Sequence, residues 1–175
     1  MLKTILIIVV LAILVVLALG ATRPRIFRVR RSARVNAPAD RIFPLINDFH
    51  RWADWSPYDK LDPDMKRTFS GSALGKGAIY EWTGNNKVGA GRMEIIETTV
   101  PKRVAIKLDF IRPFEGHNVA EFTMEPNAGA TDVTWAMEGP SAFSHRVMGV
   151  FMNMDKMIGK DFEKGLENIK GAVGG

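Results

Sequence analysis

The chain opens on an unbroken apolar run and then begins to alternate. Thr4 to Thr22 is 19 residues without a charge, and Ile5 to Leu19 are all aliphatic or Ala. At a helical rise of 1.5 Å per residue the run spans about 28 Å, close to the roughly 30 Å of a bilayer's hydrocarbon core. A helix satisfies all of its own backbone hydrogen bonds in lipid, so the run predicts a transmembrane helix. Phe27, Val29, Ala33 and Val35 then recur at period two and predict a first strand. Asn36 to Asp40 starts a short helix, with Asn36 or a neighbour as cap and Pro38 near the first turn. Ile42, Phe43, Leu45 and Ile46 give that helix its apolar side. Phe49, Trp52 and Trp55, at spacing three, predict a second short helix, which Ser56-Pro57 ends.

The middle of the chain alternates throughout. Ala78, Tyr80 and Trp82 share one strand face, and Ile79, Glu81 and Thr83 the other. Gly84-Asn85-Asn86 is a turn, and the glycines from Gly84 to Gly91 make a hairpin rather than a phosphate loop, because no helix follows them. Met93 and Ile95 belong to the next strand. After a turn at Pro101-Lys102, Val104, Ile106, Leu108 and Phe110 alternate with Ala105, Lys107 and Asp109. Ala120, Phe122 and Met124 form the apolar set of the following strand. Pro126 to Gly129 is a hairpin loop, and Val133, Trp135 and Met137 line the strand beyond it. Short strands joined by tight turns predict an antiparallel meander.

The period changes near the end. Val147, Val150, Phe151, Met154, Ile158, Phe162, Leu166 and Ile169 recur at three and four, with charged residues between them, and predict one long amphipathic helix closed by Gly171 and the final glycines. A meander solvated on one side must cover its other face, and this helix is the element left to do so.

Charge locates the basicity. The chain has 24 Lys and Arg against 19 Asp and Glu, a net charge of +5. Lys3, Arg23, Arg25, Arg28, Arg30, Arg31 and Arg34 all lie in the first 34 residues; without those seven, 17 basic residues face 19 acidic ones, a net charge of −2. A nucleic-acid binder needs a basic face on its folded body, so no nucleic-acid partner is expected. Arginines behind the apolar run mark the cytoplasmic side and can touch anionic headgroups. They favour a retained anchor with a cytoplasmic domain. A cleaved signal peptide, with Ala18 and Gly20 at the cleavage site, is the alternative. The absence of cysteine rules out disulfides and thiolate metal sites.

The order of elements resembles the helix-grip fold of START-like (SRPBCC) proteins, and the local sequence resembles the polyketide cyclase/dehydrase branch. Phe43 to Phe49, Trp52, Trp55-Ser-Pro57 and Phe69-Ser-Gly71 carry the resemblance. So do Gly75 to Trp82 with Gly84-Asn85, Val133-Thr-Trp135 with Met137, Phe151 to Asp155, and Asp161-Phe-Glu163. It runs from about Val29 to Lys170. It implies an α+β fold in which a curved antiparallel sheet grips the long C-terminal helix around an apolar cavity, here with one N-terminal transmembrane helix. Members bind lipids, sterols, polyketides or plant hormones, and some catalyse cyclisation or dehydration. The expected division is an anchor over residues 1–24 and a START-like domain over residues 25–175.

Large apolar side chains on the inward strand faces are the main chemical signal. Tyr80, Trp82, Phe110, Phe122, Trp135 and Met137 on strands, with Met148 and Met152 on the helix, are the expected ligand-binding residues, since pockets for small molecules are mostly apolar and methionine adapts to irregular shapes. An ordinary filled core is the other reading of the same residues. His50, His117 and His145 are far apart and have no metal-ligand spacing, so neither metal nor cofactor is expected. His50, between Asp48 and Asp54, is the one candidate acid or base, and no convergent catalytic pair or Ser-His-Asp arrangement is visible. Glu81 and Glu94 are further polar candidates, Glu81 on the face turned to water. Three functions follow: a membrane-anchored binder of a hydrophobic molecule or lipid, a cyclase or dehydratase, or a tethered interaction domain with a vestigial cavity. The ligand and the oligomeric state stay open.

Overall fold

A computed structural model describes residues 1–174 of the chain. The apolar run is helix α1 (Leu2–Thr22), long and apolar enough to cross a membrane. Gly20 is its one buried residue, so it is not a core helix.

Seven antiparallel strands form one sheet: β1 (Ile26–Val35), β2 (Lys66–Gly71), β3 (Ala78–Thr83), β4 (Ala90–Thr99), β5 (Arg103–Arg112), β6 (Gly116–Asn127) and β7 (Ala130–Pro140), in the order β1-β7-β6-β5-β4-β3-β2. The expected alternation sets the faces. Ala78, Tyr80 and Trp82 are buried in β3 while Glu81 faces water. Val133, Trp135 and Met137 are buried in β7. A register shift between Ile95 and Glu97 bends β4 against β5, as an extra residue in one strand does. Helix α2 (Ala39–Asn47) and the 3₁₀ turns Phe49–Asp54 and Tyr58–Lys60 carry the chain from one sheet edge to the other. In a 3₁₀ helix residues three apart share a side, which is why Phe49 and Trp52 both enter the core. Strand β2 was not expected from the pattern; its Lys-Arg-Thr-Phe-Ser-Gly sequence has one apolar residue because this edge strand is largely exposed.

The terminal helix is in two pieces, which corrects the expectation of one continuous helix. Helix α3 (Phe143–Phe151) ends at Met152, whose backbone is extended, and α4 (Met154–Gly174) starts beyond it. Asn153 causes the break: its side-chain oxygen accepts the Lys156 N–H at 2.9 Å, the capping role that asparagine favours over a helix interior. Helix α3 buries no residue and packs chiefly on α1, where Val147 lies against Gly20. Phe151, expected against the sheet, is 74% exposed.

Helix α4 covers β1 and β7, burying Phe162, Leu166, Ile169 and Val173, while α2 packs on β6 and the first 3₁₀ turn on β3. Helix α4 lies so close that at two positions a Cβ would meet a side chain of the sheet. A Cβ on Gly165 would stand 2.7 Å from the Trp135 ring, and one on Gly159 would enter the Arg31 guanidinium. Arg31 sits on the inward face of β1 and donates to both carboxylates that flank Gly159 one turn away, Asp155 at 3.0 Å and Glu163 at 2.8 Å. The two carboxylates hold the guanidinium protonated well above its ordinary range. The fold is therefore the helix-grip fold expected, with a shorter grip.

Phe162→Ala is expected to destabilise the full chain in urea by about 3–5 kcal/mol, the range for emptying a buried aromatic site. A loss below about 1 kcal/mol would mean that Phe162 is not buried against Trp135.

Candidate functional site

The residues on the inward face of the sheet, under α4 and the 3₁₀ segment, form a set of aromatic contacts. Tyr80 stacks on Trp82 at 6.0 Å, and Trp82 meets Phe110 edge-on at 5.9 Å. Phe122 stacks on Trp135 at 4.8 Å, and Trp135 lies flat on Phe162 at 4.0 Å with 5° between the planes. Trp52 and Trp55, from the 3₁₀ segment, close the group against Phe122 from the side. Local sequence permits this crowding: Gly91, across from Trp82 in the register, has no Cβ to meet the indole ring.

Six of the eight expected ligand-binding residues come together here. Tyr80, Trp82, Phe122, Trp135 and Met137 are buried, and Phe110 is partly buried and packs against this core. Met148 and Met152 do not join them; the break at Asn153 leaves both exposed on α3 and its end. No open cavity between sheet and helix is among the two best-formed depressions of the described residues. Trp52, Trp55 and Phe162 add three aromatic rings to those that the strands supply there. Sequence reading missed these three as site residues, although the spacing of Phe49, Trp52 and Trp55 placed the two tryptophans on one side and Phe162 belongs to the apolar pattern of the terminal helix. The two best-formed depressions among the described residues lie elsewhere. One, of about 250 Å³, borders β2 beside His50, Phe69, Ser70 and Ser72; the other, of about 190 Å³, lies among Gly84 to Asn86, Gly89, Arg112 and Pro113.

Polar chemistry inside the group is sparse. Three of the four indole N–H groups donate to backbone carbonyls: Trp52 to Ile46 at 3.0 Å, Trp55 to Leu45 at 2.8 Å and Trp82 to Val88 at 2.9 Å. The fourth, on Trp135, is buried and has no acceptor among the described residues. Burial, then the nearby Asp59 carboxylate, push the Tyr80 hydroxyl up to about 12. Burial and Asp161 push Tyr58 up as well. Both phenols are therefore neutral donors near pH 7. His50 is outside the group: its ring stacks on Phe69 at 4.2 Å and its Nδ1 pairs with Asp48 at 2.9 Å, at the β2 groove. Glu94 pairs with Arg92 at 2.8 Å. No cluster of three metal-ligating side chains occurs among the described residues. The aromatic group is apolar, and the buried donor it leaves unpaired among the described residues is the Trp135 indole N–H.

A protein family described as polyketide cyclase/dehydrase and lipid transport matches residues 27–174. No curated protein matches the sequence. Among solved structures, the protein CV1439 from Chromobacterium violaceum is similar, with a TM-score of 0.58 at 15% identity over 86% of this chain and 98% of that one. The Aha1 dimer from Colwellia psychrerythraea is similar with a TM-score of 0.60 at 13% identity, over 84% of this chain and 96% of that one. The di-domain ARO/CYC protein BexL from the BE-7585A biosynthetic pathway gives a TM-score of 0.64 at 11% identity, over 90% of this chain and 53% of that one. At these identities the likeness is one of fold.

Both tyrosines of the chain have hydroxyls raised above the ordinary value of about 10. The unfolded chain then loses these protons at lower pH than the folded one, so stability should be intact below about pH 10 and fall as pH rises through the folded values. Urea melts across that window check this. Stability that stays flat up to pH 12 would place the phenols in water.

Proposed function

The chain belongs to the polyketide cyclase/dehydrase and lipid transport family, and from that premise we propose that it binds one apolar molecule between sheet and α4 while α1 holds it in a membrane. In this reading residues 1–24 are the anchor and residues 25–175 the binding domain. Arg23 and Arg25, directly behind α1, keep the domain on the cytoplasmic side.

Trp135 carries the reading. An unpaired buried donor costs about 1–3 kcal/mol, and the other three indoles avoid that cost. A guest with an oxygen acceptor, such as a lipid or a polyketide-like molecule, recovers it. The same guest meets the flat faces of Tyr80, Trp82, Phe110 and Phe122 and the adaptable side chain of Met137. Its space is made at the start of α4, where no residue before Gly159 is buried and Ile158 is only half-buried. The break at Met152 and Asn153 lets that turn move without dragging α3, and Met148 and Met152 then line the entrance. Buried apolar area supplies about 25 cal/mol per Å², before the losses of association are subtracted.

A second reading, a tethered interaction domain, is favoured by the filled interior of the described state. The two separate in nanodiscs. A diazirine-bearing fatty acid should crosslink to β5, β7 and α4 of the full chain. Ala120→Trp, on a buried position opposite Met137, should remove those crosslinks. Trp135→Phe should weaken them by about fivefold, the value of one hydrogen bond near 1 kcal/mol. Crosslinks confined to α1, unchanged by Ala120→Trp, would leave the interaction domain as the reading.

A further inference from the structure

Helix α3 has no place in the core and almost no partner. Its nine residues bury nothing, and its main neighbour is the end of α1. A helix this short is not stable by itself in water. Arg146 fastens it there by reaching the carbonyls of Ala21 and Arg23 at 3.3 and 3.4 Å, while its guanidinium lies 5.3 Å over the Phe143 ring. Phe143, Met148, Phe151 and Met152 remain exposed.

The strand register brings a second apolar feature to the same end of the molecule. Ile26 pairs with Pro140, directly before α3, and the tip between β5 and β6 closes beside them, where Phe110 pairs with Gly116. That tip carries Ile111 and Phe114, both 61% exposed. The Phe114 ring meets His145 of α3 edge-on at 6.1 Å. Separate segments of chain thus present large apolar side chains around the point where α1 leaves the domain. Exposed groups of this kind on a soluble surface mark a covered face.

We infer that this face is seated in the bilayer itself, with α3 lying in the interface and Phe114 inserted beside it. The inference rests on the reading of α1 as a membrane anchor. Two observations select a lipid surface as the occupant. The face is continuous with α1, so a bilayer that takes up α1 meets α3 at once. Its charge is also complementary: Arg23, Arg25 and Arg112 are exposed around it and make no ion pair among the described residues, whereas Arg28 and Arg31 further along β1 are paired with Glu138 and with Asp155 and Glu163. Apolar side chains below and unpaired arginines beside them form the arrangement of an interfacial helix over anionic headgroups. The consequence for the proposed site is direct: its entrance, at the α3–α4 junction, faces lipid rather than water.

The chain has no cysteine, so single labels can be placed in the full-length protein. Val10→Cys, Phe114→Cys, Phe151→Cys and Lys102→Cys would each carry an environment-sensitive fluorophore in vesicles of phosphatidylcholine and phosphatidylglycerol. Lys102 lies in the β4–β5 turn, at the far end of β5 from Arg112. Labels at 114 and 151 should shift to the blue, lose emission to nitroxide-labelled acyl chains and resist aqueous iodide, while the label at 102 does none of these. If 114 and 151 respond to iodide as 102 does while Val10 is quenched by the nitroxides, the tether stands and the seated face is refuted. If Val10 is also open to iodide, the anchor reading falls and the inference with it. Protection from iodide without quenching by lipid nitroxides would mean that a second protein surface covers the face, and would equally overturn the proposal.

Discussion

Helix α4 approaches the sheet closely at two glycines, and much of the packing follows from that approach. Gly165 lets Trp135 slide beneath the helix axis and lie flat on Phe162; such a pair adds about 0.5–1.5 kcal/mol beyond the area it buries. Gly159 lets the Arg31 guanidinium fill the space between β1 and α4, held from both sides by Asp155 and Glu163. A charged group on an inward strand position would ordinarily be a defect. Here it joins β1 to α4, with a carboxylate on each side and no Cβ beneath. The stack of Trp135 on Phe162 lies in the same interface.

The same placement explains why the interior is closed and where it can open. Beyond Gly159 towards the C-terminus, α4 buries at least one residue in every turn. Before Gly159 it meets the sheet through the Asp155–Arg31 pair and the half-buried Ile158, and α3 packs on the end of α1. The domain therefore has a fixed half and a loose half, joined at a capped break. A buried donor without an acceptor lies inside the fixed half, and a face of exposed aromatic and methionine side chains surrounds the loose one. In the proposed function, binding of a bilayer-derived molecule links these two facts. A site that filled itself with its own aromatic rings could release and take up a guest only where the cover is loose, and that is next to α1.

Much of the fold was legible in the pattern because strands with one buried face alternate strictly. Strands β3, β5 and β7 showed it, and Phe49 with Trp52 announced a short helix three residues to the turn. Strand β2 was hidden, since an exposed edge needs no apolar set. The helix break was hidden for a different reason: Val147 and Val150 keep the three-four spacing of α4 although Val147 lies against Gly20 of α1, so periodicity alone could not separate the pieces. Asn153 was the available sign. The site was half legible. Inward aromatic residues on the strands were correctly grouped, yet volume cannot be read from one sequence, and the rings from Trp52, Trp55 and Phe162 occupy what was expected to be empty. Methionine content pointed to a pocket wall, but Met148 and Met152 went to α3. Arg31 was visible as the one charge interrupting Phe27, Val29, Ala33 and Val35, with Asp155, Gly159 and Glu163 four apart as its counterpart, and only the pairing of the two gives it meaning.

The central claim, that the space between sheet and α4 admits a guest, is tested most directly by native mass spectrometry of the full chain released from the membranes in which it was made. The account predicts a population carrying one small apolar molecule per chain, stripped off on denaturation and identified as a lipid or polyketide-like compound with an oxygen acceptor. A bare chain as the sole species, under release conditions gentle enough to keep bound lipid on α1, would contradict it.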